Sequence, residues 1–162
     1  MTIEWIIGFI EGECNFNVSL SKNFKTKTWT YPFEYYPILQ FRIFLREDDL
    51  GVLQKIKETL GMGRIYKKDM EYNQKMGINT RDQYAYYITS SKDLNKFKEI
   101  LQKQEWFPSK KKKDAESFFK ILDLKMAKKH NTPEGNQEIL SLAIKMNSQN
   151  RKNFQVNRSP NN

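Results

Sequence analysis

The stretch from Ile6 to Glu13 reads I-I-G-F-I-E-G-E, and no other part of the chain restricts the fold so tightly. Gly8 and Gly12 lie four positions apart, so on a helix they fall on one face and leave a strip without side chains. Each glycine costs about 1 kcal/mol in a helix interior relative to alanine. That cost argues for a second backbone approaching closely along the strip. The spacing is best attested in membrane helices, so taken alone it also fits an ordinary core helix with two tolerated glycines. Glu13 closes the run where the apolar period gives way to Asn15 and Asn17. A carboxylate at the end of a tightly packed helix is held in place and suited to binding a metal ion.

The remaining composition narrows the class. A chain of 162 residues suffices for one domain with a real core. The formal net charge of +9 and a pI near 9.5 point to a polyanionic partner. Nucleic acid fits better than a membrane surface, because the basic residues alternate with aromatics and amides in strand-like segments. The plain alternative is a basic protein with no such partner. One cysteine excludes an internal disulfide framework and a cysteine zinc cluster. No apolar run approaches a membrane span. The apolar start carries Glu4, Glu11 and Glu13 and no basic flank, so it does not read as a secretory signal. The abundance of Lys, Asn and Ile hints at an AT-rich gene.

Thr2 is placed to cap the first helix, with Glu4 as its first-turn acid. From Asn15 to Lys22, Phe16, Val18 and Leu20 alternate with Asn17, Ser19 and Ser21, as in a half-buried strand. Polar, basic residues 23–31 follow as a hairpin tip. Tyr35 to Leu45 is a second strand, with Leu39, Phe41 and Ile43 alternating with Gln40 and Arg42. Asp48 or Asp49 caps a helix through Leu50, Leu53, Ile56 and Leu60, stopped at Gly61. Gly63 to Tyr72 and Gln83 to Thr89 read as a second hairpin. Ser91 begins a helix through Leu94, Phe97, Ile100 and Leu101. A lysine-rich helix with Ala115, Phe118, Phe119, Leu122 and Met126 follows Phe107-Pro108. Thr132-Pro133 starts the last helix. The expectation is one α+β domain over residues 1–147, with an antiparallel four-stranded sheet, helices on one face, and a polar tail over 148–162.

Ile6-Ile7-Gly8-Phe9-Ile10-Glu11-Gly12-Glu13-Cys14 resembles, without gaps, the family variant L-A-G-F-I-D-G-E-G of the LAGLIDADG homing endonucleases. Both glycines and the terminal acid match, while Glu11 stands for the more usual aspartate and Cys14 for the last glycine. Further along, Gly61-Met62-Gly63-Arg64-Ile65 is similar to the family's turn into the third strand. Tyr86-Tyr87-Ile88-Thr89-Ser90 followed by Leu94 is similar to the fourth strand and its helix. Phe107-Pro108 before the lysines resembles the family's proline–lysine segment. Only one signature helix is found in these residues. In the family such single-motif chains form homodimers, because two acids are needed, one per DNA strand. The resemblance therefore implies an isologous interface through Trp5, Gly8, Phe9 and Gly12, and a pseudo-palindromic target.

The resemblance also implies Mg²⁺-dependent phosphodiester hydrolysis with a staggered cut in double-stranded DNA. Glu13 and the backbone carbonyl of Cys14 would hold the metal, and a lysine from Lys110 to Lys113, Lys111 foremost, would offset charge at the scissile phosphate. A solvated lysine run at a helix start is the plain reading of those four. It is unfavourable for the helix dipole, which leans toward a phosphate partner. Leu45 occupies the position of a family glutamine near the water network, leaving that role absent or filled by Arg46 or Gln40. Parity puts Asn17, Ser19, Ser21, Tyr36, Gln40, Arg42, Arg64, Tyr66, Lys68, Gln83 and Tyr87 on the sheet face that would lie along the major groove. Lys22, Lys25 and Lys27 would meet phosphates, which fix position without reading sequence. His130 is expected on the surface of a connector and argues against a histidine-based nuclease. Cys14 reads as a small buried residue. Two alternatives stay open: an RNA maturase binding its host intron, and a non-cleaving DNA binder. The family implies an intracellular setting, in an organelle if the host is eukaryotic.

Overall fold

The computed structural model describes residues 1–22, 31–68, 82–106 and 108–148. The expected hairpin tip with Lys25 and Lys27, most of the connector between the third and fourth strands, Phe107, and residues 149–162 of the tail lie outside the described residues.

Helix α1 (Ile3–Glu13) starts where the Thr2 hydroxyl accepts from the Trp5 amide at 3.2 Å. It buries Ile6, Ile7 and Ile10. At Cys14 the backbone turns extended (φ −96°, ψ 165°) and runs directly into β1 (Cys14–Lys22). Those dihedrals suit any residue, so a glycine is not needed there.

Strand β2 (Tyr35–Arg46) pairs antiparallel with β1 on one side and with β4 (Gln83–Ile88) on the other; β3 (Arg64–Lys67) adds at the β4 edge, giving the order β1-β2-β4-β3. The register sets Asn17 opposite Gln40, Arg42 opposite Tyr87 and Tyr87 opposite Arg64. One sheet face is therefore polar throughout its middle. The other carries Phe16, Val18, Leu39, Phe41, Ile43, Tyr86 and Ile88, all buried.

The helices close over that apolar face. α2 (Leu50–Leu60) buries Leu53, Ile56 and Leu60; α3 (Ser91–Gln102) buries Leu94, Phe97 and Leu101; α4 (Lys110–Met126) buries Ala115, Phe118, Phe119, Ile121 and Leu122. α5 (Pro133–Ser148) adds Ile139, Ala143 and Met146. The aromatic centre is Phe16, Phe41, Phe97, Phe118 and Phe119, with Phe41 and Phe97 rings 4.5 Å apart. Truncating one of these rings to alanine costs about 3–5 kcal/mol.

One boundary differs from expectation. The chain makes a short 3-10 turn at Glu47–Asp49 before α2, and Asp49 stands at the α2 N-cap without a side-chain capping bond. The third strand is described as Arg64–Lys67, and residues 69–72 of the expected strand lie outside the described residues. It begins at a turn with Gly61 and Gly63 at φ +64° and +79°. A Cβ on Gly63 would sit 2.6 Å from the Tyr86 ring, and the Tyr86 hydroxyl donates to the Met62 carbonyl at 3.0 Å. Glycine at 63 thus satisfies both the dihedral and the close approach.

His130 is not a surface residue of a connector. Its ring is half-buried against Tyr31 and Tyr36 at the end of the sheet remote from Glu13. The Tyr31 hydroxyl there donates to the His130 carbonyl at 3.0 Å and accepts from buried Asn136 at 2.8 Å. Those contacts join the start of β2 to α5, across about a hundred residues that local pattern could not connect.

Candidate catalytic corner and nucleic-acid face

The α1 terminus is where chemistry-bearing groups converge. Glu13 is solvent-exposed and lines a cleft of about 450 Å³ with Phe9, Phe44, Leu45, Arg46, Asp49, Val52 and Gln83. Leu45 and Arg46 thus stand beside Glu13, whereas Gln40 lines a separate hollow with Arg64, Tyr66 and Tyr87. Of the two polar substitutes considered for the water-network role, the structure puts only Arg46 at this cleft. Asp49 and Gln83 are polar members of the cleft that sequence reasoning missed. Gln83 comes from β4, opposite Arg46 by the sheet register, and Asp49 from the 3-10 turn that directly follows β2.

Lys111 reaches this corner: its ammonium donates to the Cys14 carbonyl at 2.5 Å. Ser109, the α4 N-cap, explains the aim. Its hydroxyl accepts from the Lys112 amide at 3.0 Å and donates to the Glu11 carboxylate at 2.8 Å. The Trp106 indole N–H donates to the same Glu11 oxygen. Lys112 turns the other way and donates to the Trp106 carbonyl at 3.2 Å. The two acids of α1 therefore differ in kind. Glu11 is held by the segment that starts α4, while Glu13 faces solvent. Nothing in the spacing of Trp106 and Ser109 announced their pairing with a residue some 95 positions earlier.

Burial pushes the Cys14 thiol up to about 12, despite the Lys111 ammonium nearby. It is a packing residue, neither nucleophile nor thiolate ligand. Burial also raises the Asp114 carboxyl, against the pull of Lys110 and Lys111.

The outer sheet face holds all the parity residues that lie in the strands. Asn17, Ser19 and Ser21 project from β1; Tyr36, Gln40 and Arg42 from β2; Gln83 and Tyr87 from β4; Arg64 and Tyr66 from β3. Lys68, just beyond β3, bonds through its amide to the Gln83 carbonyl at 2.8 Å. Asn15, Ile38, Phe44 and Arg46 share the face by the same register, though parity reasoning passed over them. Tyr36 is occupied at the far end: the Lys125 ammonium sits 4.4 Å from its ring centre, and Tyr31 packs on its edge. Lys22 ends β1 exposed and faces Glu34 at 3.8 Å.

Trp5, Gly8, Phe9 and Gly12 form one uncovered stripe along α1. Trp5 is 46% exposed and stacks on Phe9 at 5.1 Å. A Cβ built on Gly8 or Gly12 would meet nothing within 4 Å. Packing among the described residues therefore gives no reason for either glycine.

A four-stranded antiparallel sheet backed by helices, with an acid at the end of a glycine-striped helix, is the fold of the homing endonucleases. I-TnaI, described as a homing endonuclease, superposes with a TM-score of 0.74 at 29% identity, over 91% of this chain and 88% of that one. The I-LtrWI LAGLIDADG homing endonuclease bound to target DNA matches at 27% identity with a TM-score of 0.74, over 91% of this chain and 45% of its own. I-SmaMI, bound to an uncleaved DNA target in the presence of calcium ions, matches at 28% identity with a TM-score of 0.75, again over 91% of this chain and 45% of its own. The chain thus spans most of the first and under half of the other two. Residues 6–122 match the LAGLIDADG endonuclease family, and the chain belongs to it. No curated protein matches.

Proposed function

We propose that the chain is a site-specific DNA endonuclease that acts as a two-fold dimer, each copy supplying Glu13 for one strand of a pseudo-palindromic duplex. The observation that carries this reading is the α1 helix. Its acid faces solvent at one end, and among the described residues its glycine stripe has no contact to account for it. A second copy laid along the stripe would bring two α1 ends, and two Glu13 carboxylates, to one place.

The donors at that place are oxygens, the Glu13 carboxylate and the Cys14 carbonyl, which suit a hard divalent cation that keeps several waters. Among the described residues no group of three or more His, Cys, Asp or Glu forms a cage. This fits a site that is completed by a second copy and by phosphate oxygens. The Cys14 carbonyl already accepts from Lys111, but a carbonyl oxygen has a second lone pair. A bound cation would supply Lewis-acid polarisation and a more acidic water. The chain's own residues do the rest. Lys111, held on the main chain, places a positive charge beside the reacting phosphate. Arg46, Asp49 and Gln83 line the water-accessible side of Glu13. The outer face and the net charge of +9 bind the duplex.

The test is cleavage of a randomised duplex library with Mg²⁺, with Mg²⁺ chelated, and with Glu13→Gln. The reading expects a single enriched, near-palindromic site cut only by the wild-type protein with metal. Binding of that duplex without any cut would replace it with the non-cleaving binder. Preference for structured RNA over every duplex would replace it with the maturase.

A further inference from the structure

Two pairs of residues on the outer face repeat one arrangement. Arg42 donates from Nη2 to Asn17 Oδ1 at 2.9 Å, and its guanidinium carbon lies 5.6 Å from the Phe44 ring centre. Lys68 donates from Nζ to Gln83 Oε1 at 3.3 Å, and the same ammonium lies 5.7 Å from the same ring centre. Each cation is thus tethered by an amide and seated by one shared aromatic, which Tyr87 meets edge-on at 6.0 Å.

The chemistry of these bonds fixes the orientation of the amides. A guanidinium or an ammonium can only donate, so each amide must turn its oxygen toward the cation. An asparagine or glutamine reads adenine with both ends of its amide, accepting from N6 and donating to N7. With its oxygen accepting from a charged donor, Asn17 has one lone pair left for a base and an amide plane set by Arg42. The Arg42 guanidinium carries five N–H groups, of which one on Nη2 goes to Asn17 and the one on Nε is buried, and a guanine edge asks for two.

We propose that Asn17 and Gln83 are positioning residues that aim Arg42 and Lys68, that Phe44 is the common seat of both cations, and that this part of the face reads guanine edges through the cations. The inference rests on the DNA-binding reading above and deepens it. It also departs from the simpler expectation that each polar residue of the face reads its own base.

The test profiles binding, so it does not depend on catalysis. The duplex is the site selected by the wild-type protein, together with its full set of single-base-pair variants. Each protein variant is first checked for an unchanged thermal midpoint. Arg42→Ala should lower discrimination about tenfold or more at one base pair per half-site. Asn17→Ala should flatten the profile at that same base pair, and the double variant should be no flatter than Arg42→Ala alone. Asn17→Asp keeps the oxygen and loses the amide donor, so it should retain the preference while weakening all duplexes similarly. Phe44→Leu should flatten the Arg42 position and a second position, the one that Lys68→Ala alone affects. The proposal is overturned if Asn17→Ala alters a different base pair from Arg42→Ala, or if Asn17→Asp loses the preference as fully as Asn17→Ala. A wild-type profile flat at every position would overturn the site-specific reading itself, and this inference with it.

Discussion

The corner at Glu13 and the outer face of the sheet hold their polar groups by different means. At the corner, Lys111 is bound to a main-chain carbonyl, and its helix is started by a serine cap that Glu11 also grips. On the face, the contacts of Arg42 and Lys68 include an amide each and one shared ring. A backbone carbonyl is present whatever residue stands at 14, so the corner tolerates cysteine where the family more often has glycine. The face has no such guarantee, and a single substitution there re-aims a cation.

The sharpest way to break that contrast is at Glu13. Glu13→Gln should drop metal-dependent cleavage to background while duplex affinity stays within a few fold. Appreciable cutting by a clean preparation would move the chemistry away from this corner.

Next comes Lys111. Lys111→Met should slow the cleavage step by about 10²–10³-fold, the scale for losing one preorganised charge stabiliser. Single-turnover rates on prebound duplex measure this directly. Glu11 sharpens the comparison: Glu11→Ala should cost up to about 10²-fold through misplacement of α4. Glu11→Gln, which keeps an oxygen for Ser109 and Trp106, should stay near the wild-type rate. Equal losses in the two variants would mean that charge at Glu11, rather than its grip on the cap, is what matters.

The glycine stripe gives a smaller effect of two signs. Because a Cβ at Gly12 meets nothing within the chain, Gly12→Ala should raise the stability of the isolated chain by up to about 1 kcal/mol. The same methyl should weaken assembly, and Gly12→Leu should abolish it. Sedimentation at micromolar concentration, beside denaturant unfolding, reads both. A wild-type protein that stays monomeric with its duplex bound would remove the dimer.

The smallest effect lies at the far end of the sheet. Burial, with Lys125 nearby, lowers the His130 pKa below its ordinary value of 6.5. The unfolded chain then takes up a proton that the folded chain resists, so this contribution to stability is present above pH 6.5 and is lost as pH falls through the folded value. The thermal midpoint should fall by a few degrees between about pH 7 and about pH 5.5, and less in His130→Gln. An identical fall in both proteins would assign the loss to other groups.

Much of this was legible without coordinates, for a definite reason. Alternation along Asn15 to Lys22 and Tyr35 to Leu45 puts one set of residues on each sheet face, since a strand's period is two whatever it pairs with. The spacing of Gly8, Gly12 and Glu13 is likewise a property of one helix. Those local periods carried the α+β class and the list of face residues, while the family came from the resemblance of the motif at Ile6 to Cys14. Partnership is another matter. Asn17 and Arg42 stand 25 residues apart, and Lys111 and Cys14 stand 97 apart. Which of four successive lysines bends back to α1, and which end of the Asn17 amide is occupied, depends on sheet register and helix docking. So does the burial of His130 against Tyr31. A period tells a residue which way to point. Only the packed chain decides what it meets, because hydrogen bonds are made between neighbours in space, and sequence distance does not measure that.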